Sequence, residues 1–164
     1  MTSMFDEEAF MNSSLSEPTV RRPPLQIGLV LPGIIEDVKP RQWQSKDKYD
    51  SNGQPLSGIA LDVKIKVDFS TNADVVAQQG GITSLTMDDS IMVDMTGEGS
   101  NKRIDNAVGK NGKLRRYREA LDMNKAGDTW SPRAMIGRQI KVKIGHRTYN
   151  NELFDQIADV ARAF

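Results

Sequence analysis

Residues 61–69 carry the plainest pattern in the chain: Leu61, Val63, Ile65, Val67 and Phe69 alternate with Asp62, Lys64, Lys66 and Asp68. A period of two places the apolar set on one face of a strand and the charges on the other, so a half-buried strand is predicted here. Residues 85–95 repeat the pattern more loosely, with Ile91, Val93 and Met95 on one parity and Asp88 and Asp94 on the other. Upstream, residues 26–38 are rich in strand formers but interrupted by Pro32-Gly33, which predicts a bent or bulged first strand. Asn52-Gly53 sits among the turn formers of residues 47–55 and predicts a hairpin loop. Farther on, Ile140, Val142, Ile144 and His146 alternate with Lys141, Lys143 and Arg147 as a fourth strand, and residues 153–160 offer a fifth.

One stretch departs from this period. Leu114, Tyr117 and Leu121 fall at i, i+3 and i+7, with Asn111 placed as an N-cap and Gly127 beyond the end, so residues 113–123 are predicted to form an amphipathic helix. Ser131-Pro132 starts a second, very short helix that Gly137 stops and Trp130 staples. The order is three strands, one inserted α-helix and two strands. That predicts a mainly β domain over residues 25–164, a five-stranded antiparallel OB-like barrel, with a generic β-sandwich as the other topology. Residues 1–24 contain four acids, no base before Arg21 and no apolar period, and read as a flexible acidic arm. Within it Phe5 and Phe10 flank Asp6, Glu7 and Glu8, the make-up of a partner-binding segment.

Length and composition narrow the class. A chain of 164 residues holds one domain and an arm, and nothing in it is apolar for long enough to span a bilayer as a helix. The absence of cysteine removes disulfides, thiolate zinc sites and cysteine nucleophiles. With no basic-then-apolar leader at the start, a reducing cytoplasm is the expected compartment. The single histidine, His146, shares the parity of Ile140, Val142 and Ile144 and reads as structural, so multi-histidine metal sites and histidine-based triads lose their basis. Neither catalytic residues, nor metal, nor cofactor are expected. Binding is the leading class.

Net charge is zero, yet the signs are segregated. Residues 101–147 contain thirteen Lys and Arg against four acids, a local +9 that leaves −9 for the remainder. A basic segment of that kind points to a polyanion. Single strands are held by cations on phosphates and aromatic faces on bases. Lys39, Arg41, Trp43 and Lys46 supply both at the approach to the predicted hairpin, and Tyr49 follows as a second ring. Lys110, Lys113, Arg115, Arg116 and Arg118 around the helix start, with Lys141 and Lys143 on the polar parity of the fourth strand, complete the candidate set. Tyr117 shares the apolar stripe of the helix and is assigned to the core.

The strand order, the segment Gly109-Lys110-Asn111-Gly112-Lys113-Leu114-Arg115-Arg116-Tyr117-Arg118-Glu119-Ala120-Leu121, the segment Ile136-Gly137-Arg138-Gln139-Ile140-Lys141-Val142-Lys143-Ile144 and the acidic arm together resemble a bacteriophage single-stranded DNA-binding protein of the OB type. The resemblance implies sequence-tolerant coating of single-stranded DNA during phage replication or recombination in the host cytoplasm. It also implies self-association and contact with phage replication proteins, and no membrane partner. One departure stands out: many such proteins carry the acidic tail at the C-terminus, whereas residues 155–164 are only mildly acidic here.

Two other classes have a foothold. Asp62-Val63-Lys64 places an acid and a lysine two apart on one strand face, a nuclease-like arrangement; any alternating strand in a highly charged protein produces the same pair. A β-core with an extended arm is also the build of a phage capsid cement or decoration protein, which would place the chain in the virion.

Overall fold

Alternation becomes strand. In the computed structural model, which describes residues 5–164, the segment 61–68 lies in β2 (Pro55–Asp68), with Leu61, Val63, Ile65 and Val67 buried and Lys64, Lys66 and Asp68 exposed, and the buried Phe69 follows directly after the strand. The first four positions of the expected arm lie outside the described residues. With β1 (Val30–Tyr49), β3 (Ser84–Val93), β6 (Gln139–Tyr149) and β7 (Glu152–Ala161), β2 forms one antiparallel five-stranded sheet in the order β3-β2-β1-β6-β7. A two-stranded ribbon, β4 (Met95–Thr96) and β5 (Arg103–Ile104), lies beside it. The mainly β, antiparallel architecture is as the pattern predicts. No hydrogen-bonded ladder joins β3 to β7, so the sheet is not closed.

Helix α3 (Gly112–Ala120) is the predicted one, burying Leu114, Tyr117 and Ala120 against β3 and β7. Two short helices add to it. α1 (Glu7–Met11) is capped by the Asp6 carboxylate on the Ala9 N–H at 2.9 Å, and α2 (Ala73–Gln78) by the Asn72 side chain on the Val75 N–H at 3.2 Å. Such N-caps satisfy amides that a helix start leaves without partners. They let turns too short to show a periodicity become helical.

The break in β1 is displaced from the expected Pro32-Gly33. The β1–β6 ladder runs evenly through residues 30–34, and the irregularity falls between Ile35 and Asp37. Pro32 is tolerated because the β1–β2 ladder begins only at Gly33, so its missing N–H interrupts no bond there. At Gly33 the strands crowd: a Cβ would lie 2.8 Å from Ile65 Cγ2. The extra residue at the bulge inverts the facing of β1. Leu31 and Ile35 point inward before it and Val38 after it, leaving Asp37, Lys39, Arg41 and Trp43 on the outer face.

Two polar anchors hold α3. Asp89 takes the core-facing parity of β3 between Met87 and Ile91, where its carboxylate accepts the Tyr117 hydroxyl at 2.5 Å and Lys113 Nζ at 2.7 Å. Asn111 does not cap the helix through its side chain, as its position predicted. It is buried with φ 53°, and its amide instead ties Asp94 and Asp105 to the helix start. Burial first, and the neighbouring Asp89 charge second, push the Tyr117 phenol above its ordinary value of 10.0. The folded chain therefore keeps a proton that the unfolded chain releases above that value. Stability is fully present below pH 10.0 and is lost as pH rises beyond it. Urea midpoints measured from neutral to strongly alkaline pH are expected to fall above that point, and less steeply in Tyr117→Phe.

Candidate nucleic-acid interface

A groove of about 890 Å³ lies between the outer face of β1, β2 and β3 and the β6–β7 hairpin. Bulge and pleat build it: Asp37, Lys39, Asp62, Lys64, Asp88 and Ser90 all face outward from paired positions on three strands. Lys113 enters from α3, and Arg147 and Asp155 from the hairpin.

Of the four cations that line it, Lys39 and Lys113 are ion-paired, whereas Lys64 and Arg147 have no ion-pair partner among the described residues. Lys39 lies 3.5 Å from Asp37 and Lys113 lies 2.7 Å from Asp89. Arg41 binds Asp62 at 2.9 Å and reaches Ser90 Oγ at 3.2 Å. The hydrogen bond from Arg41 holds the Asp62 carboxyl below the usual carboxylate range, and the same bond raises Arg41. On α3, Arg115 is 3.8 Å from Glu119 and Arg116 is 2.7 Å from Asp159, while Arg118 donates to the Met123 carbonyl and lies over the half-buried Trp130 ring at 5.1 Å. Within the basic window Lys113 and Arg116 are neutralised, because packing brings Asp89 and Asp159 from distant segments alongside them. The groove lining holds five aspartates against three lysines and one arginine.

Unpaired cations and aromatic rings, exposed at Tyr49 and Tyr149 and half-buried at Trp43 and Phe154, coincide on two ribbons. The β1–β2 hairpin, residues 41–58, extends past the five-stranded body, since β1 pairs with β6 only at 30–34 and β2 with β3 only from Ile59. Trp43 is half-buried in it, its indole lying over its cross-strand partner Gly58. Tyr49 is exposed near the tip, and Lys46 and Lys48 have no ion-pair partner among the described residues. The expected loop closes at residues 50–54, where the Asp50 carboxylate accepts the Asn52 and Gln54 amides at 2.9 and 3.0 Å and Gly53 takes φ 77°.

The β6–β7 hairpin is the second ribbon. Asn150 and Asn151 turn it with φ 51° and 61°, the left-handed pair of a two-residue hairpin. Tyr149 is exposed beside the turn, and Phe154 carries the guanidinium of Arg21 over its ring at 3.9 Å and that of Arg147 at 5.4 Å. This cluster was not singled out in the sequence. The asparagine pair and the outward parity of Arg147 and Tyr149 signalled the ribbon, whereas the approach of Arg21 depends on the fold.

The other candidates are spread out. Lys110 lies in the loop before α3, and Lys141 and Lys143 face outward on β6 opposite Pro32 and Val30, away from this groove. Phe5, Asp6, Glu7, Glu8 and Phe10 gather on and beside α1, where the two rings stand 5.7 Å apart and no helix residue is buried. Behind the arm, Arg22 binds Asp155 at 2.9 Å, and Arg21 donates to the Leu153 carbonyl. His146 Nε2 is 2.5 Å from the Leu25 carbonyl, a structural contact. Asp62 and Lys64 share the outer face, but Asp62 is engaged by Arg41. Among the described residues no group of three or more His, Asp or Glu is placed to hold a metal, and no helix is long and apolar enough to cross a membrane.

No protein-family model matches the chain, and no curated protein matches it.

Proposed function

We propose that this chain is a non-enzymatic protein that binds single-stranded DNA in phage replication or recombination, in the host cytoplasm, without a cofactor. The observation that carries the reading is the gathering of aromatic rings and unpaired cations at two ribbons, one of which borders the groove: half-buried Trp43 and exposed Tyr49 with Lys46 and Lys48, and exposed Tyr149 and half-buried Phe154 with Arg147 and, from the arm, Arg21. Every base has a face on which to stack, so such ribbons grip a strand without reading its sequence. Support for an OB-like barrel comes from the sheet order, with β1 central and α3 packed between β3 and β7.

The ion pairs of Lys39, Arg41 and Lys113 change what salt should do. Cations already held by carboxylates release fewer counterions to phosphates, so the unpaired cations beside the rings, Lys46, Lys48, Arg21 and Arg147, set the slope rather than Lys39, Arg41 and Lys113. Titration of labelled oligo-dT at several salt concentrations is expected to give log affinity falling linearly with log salt, with a slope of about −3 for four phosphate contacts. No binding to oligo-dT, together with binding to phage particles, would transfer the protein to the capsid-cement class.

A further inference from the structure

Val30, Pro32 and Ile34 follow one another at spacing two on the stretch of β1 before its bulge. All three face outward, with Val30 52 % and Ile34 45 % exposed. Direct partners in an antiparallel ladder share a face. Lys143 and Lys141 on β6 therefore flank Val30 and Pro32, and Lys66 on β2 flanks Ile34. None of these lysines has an ion-pair partner among the described residues. Asp159, which faces Lys143 from β7, is taken by Arg116 at 2.7 Å. The result is an apolar stripe edged by three positive charges.

The arm has the opposite make-up. Phe5 and Phe10 are 73 % and 62 % exposed with their rings already together, and Asp6, Glu7 and Glu8 lie between them without a basic neighbour. In the single chain neither half is covered, for α1 buries no residue and the stripe stays open. We propose that the arm of one copy docks on this strip of a second copy, its phenylalanines on Val30, Pro32 and Ile34 and its carboxylates against Lys66, Lys141 and Lys143. Arm and strip are different surfaces of one chain, so the contact is heterologous and propagates head to tail. It uses neither the groove nor the ribbons. A failure to bind DNA would leave it intact.

Sedimentation velocity on the full chain without DNA tests it. In about 0.01 M salt, where the Debye length is about 30 Å, the average mass is expected to rise with protein concentration, and to fall back toward the monomer at about 1 M, where it is about 3 Å. Phe5→Ser with Phe10→Ser, and separately Val30→Glu with Ile34→Glu, should each remain monomeric at concentrations where the wild type assembles, with melting temperatures close to it. Mixing the two variants should restore one productive contact and yield complexes that stop at two chains. A wild-type chain that stays monomeric at low salt, including one whose arm closes on its own strip, overturns the proposal. Assembly that survives either double substitution does the same.

Discussion

Asn111→Ala is expected to lower folding stability by about 3–4 kcal/mol, read as a shift of the urea midpoint at unchanged slope. The side-chain oxygen accepts the Asp94 N–H at 2.7 Å, and the side-chain nitrogen donates to the carbonyls of Asp94 at 3.0 Å and Asp105 at 2.7 Å. Losing a partner for a buried polar group costs about 1–3 kcal/mol. A left-handed backbone costs alanine about 1–2 kcal/mol, where asparagine is tolerated better through its local hydrogen bonds. Asn111→Gly relieves the second cost and keeps the first, so it should fall between alanine and the wild type. Asn111→Asp keeps an acceptor for Asp94 but sets a carboxylate against two carbonyls. A loss below 1 kcal/mol for alanine would show that the segment between β3 and α3 is not held by this residue.

That anchor shows where sequence reading reaches its limit. The alternation in residues 61–69 and 140–146 and the i, i+3, i+7 stripe of α3 were legible because burial of one face enforces a period along the chain itself. Asn111 fits an N-cap by position, but whether its amide serves the helix or a distant loop depends on what the fold brings within 3 Å. Asp89 is a second case: it falls on the apolar parity of Ile91 and Val93, and only the crossing of α3 supplies the buried Tyr117 hydroxyl that makes a core-facing carboxylate tolerable. The candidate site divides along the same line. Trp43 and Tyr49 were legible as rings set among cations near a hairpin, since no apolar run accounts for them. The neutralisation of Arg41 by Asp62 and of Lys113 by Asp89 was not, because pairing across strands is a property of register. Local charge counts overstate the field of a segment whenever its partners lie elsewhere in the sequence.

Trp43→Ala is expected to weaken binding to oligo-dT by about 1–3 kcal/mol, roughly 5- to 150-fold, the range for loss of one stacked base. Its ring lies outside the hydrophobic core, on a two-stranded ribbon with Gly58 beneath it. Folding stability should therefore fall by no more than about 1 kcal/mol, since a half-exposed side chain leaves no closed cavity behind. Gly58→Ala separates position from presence. A Cβ there would stand 2.8 Å from Trp43 Cζ2 and Nε1, so the indole must move away from the strand while remaining available. If stacking requires the ring to lie where Gly58 holds it, Gly58→Ala loses affinity nearly as alanine at 43 does, and Trp43→Phe recovers part of it by offering a smaller ring in place. Equal affinity for wild type and Trp43→Ala would remove Trp43 from the interface and leave Tyr49, Tyr149 and Phe154 as the stacking surface. A core-sized loss of stability in Trp43→Ala would instead make the indole a clamp for the β1–β2 ribbon, with Gly58 as its seat.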